Sequence, residues 1–294
     1  MANDPRSAAW PDVEFLNQGL LPMARVNEIF REHNINYELS DPTTFSKYLT
    51  IMEQMSEDGL EGKSLLDFGC GLCVILAQAY RLGMKPVGID QFGEYKGRGF
   101  EAARDILRYH GATSEEIEGI ARYGSVLDSV PAFQGAFDFS ISIGMLEHFH
   151  RKEDRRTVML GLYYALKPGG SLFMICGPNI RFPIDFGHYG PKYVFLHCLP
   201  KSIRRLYLKL FAKGQNQNPE YLQGMSVKEL ITFVKTIDPD VAITNGFPIL
   251  AKLMSGREFL KRPPGSWLLQ IVIKALTSMK AEPLIFLIFT KPKT

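Results

Sequence analysis

The chain has only four cysteines in 294 residues, Cys70, Cys73, Cys176 and Cys198, and their spacing forms no disulfide framework. A reducing compartment is expected, and with it a cytoplasmic location. There is no apolar run of about 18 residues, so no segment reads as a bilayer span. The N-terminus, MANDPRSAAWPDVEF, has no apolar core behind a basic start and does not read as a secretory signal. Charge of one sign is scarce in excess: the formal net charge is +3 with 22% charged residues, too mild to point to nucleic acid. Internal repeats and low-complexity tracts are missing. No acidic cluster and no second Cys or His pair stands at metal spacing, so no catalytic metal is expected, and Cys70-x-x-Cys73 reads as two small residues chosen for fit. Apolar residues, at 46%, are ample for a full core in one large domain.

Residues 1–58 read as an N-terminal helical arm: short helices to about position 42, then a helix over TTFSKYLTIMEQMSE starting at Ser40-Asp41-Pro42 and stopped by Gly59 and Gly62. From 59 to 294 short apolar runs alternate with helical patterns. SLLDF, PVGID, ARYGSVL, AFDFSISIG and SLFMICG read as five strands. CVILAQAYRL, YKGRGFEAARDILRYHG and RRTVMLGLYYAL are helices between them, KPGG is a turn, and Gly83 and Gly111 are helix stops. VAITNGF and EPLIFLIFTKP complete seven strands, with SVKELITFVKTI a helix before the sixth. This order argues an α/β fold with a largely parallel sheet covered on both faces. Two stretches break the rhythm: 178–222, rich in Pro, Gly and aromatics, and 251–281, which contains the apolar helix SWLLQIVIKALTSM. Both read as insertions, the first a lid after the fifth strand.

The stretch LLDFGCGLCVILAQAYRLGMKPVGID places Asp67 at a strand end, Gly69 and Gly71 in the turn that follows, and Asp90 at the end of the next strand about twenty residues on. In open α/β sheets ligands bind beyond the carboxyl ends of the strands. The glycines allow a tight turn and close approach to a ligand, and a carboxylate at Asp90 can take both hydroxyls of a ribose. A dinucleotide would want a third glycine and no acid ahead of the turn. Asp67 repels phosphate but suits an ammonium group, which favours S-adenosylmethionine over NAD.

Here the sequence resembles the class I S-adenosylmethionine-dependent methyltransferases, whose fold is a Rossmann-like seven-stranded sheet. LLDFGCGLC is similar to their first motif, PVGID to their acidic second-strand end, GAFDFSISIGMLEHF to their fourth-strand motif and ALKPGGSLFMIC to the turn and strand that follow, over residues 60 to 177. The resemblance implies that Asp67, Gly69 and Gly71 line the methionine end and Asp90 the ribose. Gln91 and Phe92 then flank the adenine, Ser125 and Val126 its edge, and Ile143 and Gly144 the sulfonium. Relatives commonly carry an acid near position 125, where this chain has Ser. The resemblance also puts LEHF at the pocket mouth, with Glu147 against a substrate and His148 a candidate base.

Methyl transfer from a sulfonium asks mainly for near-attack geometry and exclusion of water, and a hydroxyl acceptor gains from a base. The insertion PNIRFPIDFGHYGPKYVFLHCLP supplies Asp185, Tyr189, Tyr193 and His197 as candidate substrate contacts and His188 as a second candidate base. It is similar to insertions of bacterial methyltransferases linked to surface polysaccharides and glycolipids. The leading expectation is O-methylation of a sugar or glycolipid-type acceptor. The alternatives are a secondary-metabolite hydroxyl, carbon or amine, and a non-catalytic adapter that keeps the fold. From Lys192 to Pro219 there is no acid, and KSIRRLYLKLF reads as a basic amphipathic helix, suited to an anionic membrane surface or a phosphorylated acceptor. No nucleic-acid partner is expected: the fourth strand ends in Gly-Met-Leu-Glu-His rather than the Pro-Pro-aromatic form used on base amino groups.

Overall fold

A computed structural model of the chain describes residues 23–36, 43–92, 98–129, 132–180, 196–211, 224–249 and 284–293. Their centre is a seven-stranded sheet in the order β3-β2-β1-β4-β5-β7-β6. The strands are β1 (Ser64–Phe68), β2 (Lys85–Asp90), β3 (Ala121–Tyr123), β4 (Phe137–Ile143), β5 (Leu166–Cys176), β6 (Ala242–Asn245) and β7 (Ile285–Thr290). Neighbours from β3 through β5 pair in parallel. β7 runs antiparallel to both β5 and β6.

Strand side chains alternate between two cores because successive residues point to opposite faces. Leu65, Phe139, Ile141, Phe173, Ile175, Phe286 and Ile288 join the first, under helices α1 (Met23–Glu32), α2 (Thr43–Met55), α3 (Val74–Arg81) and α4 (Gly99–Tyr109). Leu66, Phe68, Leu172, Met174, Ile285, Leu287 and Phe289 join the second, under α7 (Lys152–Tyr164) and α9 (Val227–Lys235). The continuous apolar runs of the central strands are what a sheet buried on both faces requires. Ser140 and Ser142 are buried polar residues inside β4, and the Ser140 hydroxyl donates to Leu162 O at 3.0 Å.

The α3 helix lies tight on β2. A Cβ at Gly88 would stand 2.7 Å from Cys70 Cβ and 2.8 Å from its Sγ, and would meet the Leu76 side chain as well. Glycine here is a packing requirement, and it brings α3 and the turn ahead of it down onto the strand.

Two readings change and one element is added. The third strand stops at Tyr123, and ARYGSVL ends instead in a short helix, α6 (Val126–Ser129), whose first turn is closed by Asp128 N–H donating to Ser125 Oγ. A helix α5 (Ser114–Ile120) precedes β3, held by a reciprocal cap between Thr113 and Glu116. The KPGG stretch is drawn into β5 as an irregularity in its pairing with β4, not a free turn before it. The start signal at residues 40–42 and the 251–281 insertion lie outside the described residues. Within the first insertion, α8 (Lys201–Phe211) is helical as expected. Among the described residues no helix is long and apolar enough to cross a membrane.

Candidate active site

The carboxyl ends of β1, β2 and β4 meet at the glycine turn. Asp67 is buried on the sheet face of Leu65, and its Oδ1 accepts no hydrogen bond among the described residues. Burial first, and the Asp90 charge second, push its carboxyl up to about 8. Asp90 is partly exposed and already oriented: Oδ2 accepts Gly71 N–H at 2.9 Å and Oδ1 accepts Phe92 N–H at 2.5 Å. Each carboxylate oxygen retains a further lone pair for a ligand hydroxyl.

Gly69 has φ +79, and a Cβ there would lie 2.8 Å from Met145 Cγ and Sδ. Both facts demand glycine at this position. They also show that the segment leaving β4 covers the turn. Gly144 N–H donates to Ile175 O at 2.9 Å, and a 3-10 turn, Leu146–His148, follows. His148 N–H donates to Met145 O at 3.1 Å, so His148 stands one turn beyond the residue touching Gly69. His148 is partly exposed and Glu147 is buried. Cys176, at the end of β5, has its thiol pushed up by burial and then by the Glu147 charge, which places Glu147 near that strand end.

A buried arginine supports this loop. Arg155 on α7 donates from Nη1 to Phe149 O at 2.9 Å, and from Nε and Nη2 to Glu229 Oε1 on α9 at 3.2 and 2.9 Å. Glu229 follows closely on Met225, which bonds back to the strand exit: Met225 N–H donates to Pro178 O and Ile180 N–H to Met225 O, both at 2.9 Å. The loop carrying His148 and the base of the first insertion are thus tied through one guanidinium.

The structure brings Asp67, Gly69, Gly71, Asp90, Gly144, Glu147 and His148 to one edge. Ile143 is the last residue of β4, partly exposed and packed on the first core. Gln91 is exposed, whereas the Phe92 ring is buried against Phe100, with centroids 4.9 Å apart. The Val126 side chain packs into the second core, and the Ser125 hydroxyl is engaged in the α6 cap. The exposed aromatic beside Asp90 is Tyr123, 70% exposed, stacked on Phe92 at 18° and paired in register with Asp90. Sequence reading passed over it; its signal was its place as last residue of the strand next to β2. Asp185, His188, Tyr189 and Tyr193 lie outside the described residues. His197 falls in the 3-10 turn Leu196–Cys198. On α8, Ile203 and Leu206 are 50% and 57% exposed and Lys209 is exposed, while Arg204 is buried and donates to Leu199 O at 3.1 Å. Among the described residues no group of His, Cys, Asp and Glu is arranged to hold a metal ion.

A methyltransferase domain model matches residues 66–174. The chain is similar to the ubiquinone biosynthesis O-methyltransferase of Nitrosococcus oceani, 32% identical over 143 residues, covering 49% of this chain and 55% of that protein. Its counterpart from Acinetobacter baylyi is 26% identical over 173 residues, covering 58% and 67%. The match therefore spans roughly half to two thirds of these relatives' length. Among solved structures, phosphoethanolamine N-methyltransferase 2 of Haemonchus contortus, in complex with S-adenosyl-L-methionine, aligns with a TM-score of 0.50 at 17% identity, over 90% of this chain and 56% of that one. Strand order, glycine turn and domain match agree: residues 66–174 match a methyltransferase domain, and the sheet has the fold of the class I S-adenosylmethionine-dependent methyltransferases.

Proposed function

We propose that the chain methylates a hydroxyl of a sugar or glycolipid-type acceptor with S-adenosylmethionine as donor. The observation that carries the catalytic reading is the meeting of Asp67, the Gly69–Gly71 turn, Asp90 and the Glu147-His148 turn at one sheet edge. These residues fit the cofactor: Asp67 offers a buried acceptor with no partner among the described residues for an ammonium group, and Asp90 is fixed by two backbone N–H groups to receive ribose hydroxyls. When bound, the cofactor supplies a methyl group already activated on a sulfonium. The protein's own work is then orientation, exclusion of water and removal of the acceptor proton. His148 takes that proton at an imidazole nitrogen. Its distance from the glycine turn is set by Met145, and its loop is braced by Arg155. Gln91 and Tyr123 border the adenine side.

Oxygen as the acceptor atom is supported by the shared O-methyltransferase name of the relatives. A lipid-borne acceptor is supported by the exposed Ile203 and Leu206 on a helix without acidic residues, a face suited to an anionic membrane surface. The relatives' role in ubiquinone biosynthesis favours a second reading, a small phenolic hydroxyl.

Transfer of labelled methyl to a panel of lipid-linked sugars, free glycans and catechols decides between them. Incorporation into the sugar panel supports the leading reading, and incorporation into catechols alone replaces it. Cofactor binding with no turnover on any acceptor favours a non-catalytic adapter. On the true acceptor, His148→Ala is expected to lower kcat by about 10²–10⁴-fold, the usual worth of a general base, with cofactor affinity within a fewfold. Near-normal turnover would remove it as the base.

A further inference from the structure

Asp67 is a carboxyl group in a setting that holds its proton. It is buried, its Oδ1 accepts nothing among the described residues, and the charge acting on it is another carboxylate, Asp90. The groups around it come from three elements. From β2 comes Asp90, held by Gly71 and Phe92 N–H. From the glycine turn come the Cys70 and Cys73 thiols, 3.7 Å apart, the first pushed well up by burial. From the segment after β4 comes Met145 against Gly69, with Glu147 and His148 beyond it. Desolvation and a like charge both favour the neutral acid. A carboxyl pushed up to about 8 is protonated at neutral pH.

Resting on the function proposed above, we infer that binding of the adenosyl cofactor releases one proton from Asp67, so that the pocket recognises the ammonium of the cofactor's amino-acid tail by ionising. The O–H bond of the Asp67 carboxyl breaks, the proton passes to solvent, and the carboxylate left behind pairs with the incoming ammonium. No electrons are exchanged. Charge pairing in a buried site is strong only if both partners are charged, and a neutral acid would forgo most of it. Binding that releases a proton strengthens with pH. Affinity rises by about tenfold per unit between pH 6 and 7, where the acid is protonated in the free protein, and levels off near 8. An adenosyl compound without the amino-acid tail brings no cation and shows no such rise.

The test is titration calorimetry of the full chain at pH 6.5 in two buffers of small and large ionisation enthalpy. The ligands are S-adenosylhomocysteine and 5′-methylthioadenosine, which lacks the amino acid. The expected result is release of about one proton with the first and none with the second. Asp67→Asn should bind S-adenosylhomocysteine more weakly and without proton release. Wild-type binding of S-adenosylhomocysteine with no buffer dependence overturns the inference and leaves the cofactor reading standing, as does an Asp67→Asn variant that still releases the proton. Failure of the wild-type protein to bind either compound overturns both. The two-ligand comparison on the wild-type protein decides the matter even if the variant does not fold.

Discussion

At the scale of single residues, the proposed site stores instability at a buried acid. Unfolded, Asp67 ionises in the ordinary carboxylate range; folded, it holds its proton to about pH 8. Below about pH 4 both states are protonated and burial brings no ionisation penalty. As pH rises toward 8 the unfolded chain ionises while the folded chain does not, so this group's contribution declines through that window. Asp67→Asn keeps the shape and removes the titration. The expected outcome is a cofactor-free protein more stable by roughly 1–4 kcal/mol at pH 7.5, with the gain fading toward pH 4. Denaturant unfolding at both pH values measures it, and a loss of stability at pH 7.5 would refute the assignment. On the proposed role of Asp67, the same variant is expected to bind S-adenosylhomocysteine less well, the trade between stability and function that a polar group buried for a ligand would show.

Secondary-structure elements place these residues through close contacts, and the contacts make predictions of their own. Gly88→Ala drives a methyl group into Cys70 and Leu76. It is expected to destabilise the fold by about 1–3 kcal/mol, as overpacking does, and to weaken cofactor affinity by shifting the turn. Adding Leu76→Ala should give a combined loss smaller than the sum of the two, because the second change removes the obstacle met by the first. Strict additivity in thermal unfolding would count against this contact. Arg155→Ala leaves Glu229 without its paired charge and Phe149 O without its donor. A loss of about 3–5 kcal/mol is expected, partly recovered by Glu229→Gln, and unchanged denaturation midpoints would refute the bracing role. Sequence made some of this visible and not the rest. SLLDF, PVGID and FDFSISI are legible because buried parallel strands are continuous apolar runs, and Asp67, Gly69, Gly71 and Asp90 because their spacing is local. The α5 helix is only seven residues long and polar, so periodicity passes over it, although Thr113 and Glu116 spell its cap. Leu166 belongs to β5 because pairing with Phe137 overrides the turn propensity of KPGG. Tyr123 and the Arg155–Glu229 pair depend on which segments become neighbours, and local sequence does not carry that.

For the molecule as a whole, the chain between β5 and α9 leaves and rejoins the sheet at a narrow neck. The chain leaves β5 at Cys176 and returns at Met225, and the backbone bonds of Pro178 and Ile180 to Met225 bring the two ends side by side. Among the described residues, both core clusters are built without any residue between Cys176 and Met225. The half of the site proposed to hold the cofactor, from β1, β2 and β4, is assembled upstream of the neck. Replacing residues 181–223 by a short Gly-Ser linker should therefore leave the sheet folded, since closing a short loop between adjacent ends adds only about 1 kcal/mol or less of entropy difference. S-adenosylhomocysteine affinity should stay within about fivefold, equivalent to that same free energy, while methyl transfer to the acceptor should fall below detection. Retained turnover would show that the acceptor is held by the sheet edge alone. Loss of cofactor binding would show that the insertion completes the adenosyl pocket, and the division of labour between sheet and insertion would have to be redrawn.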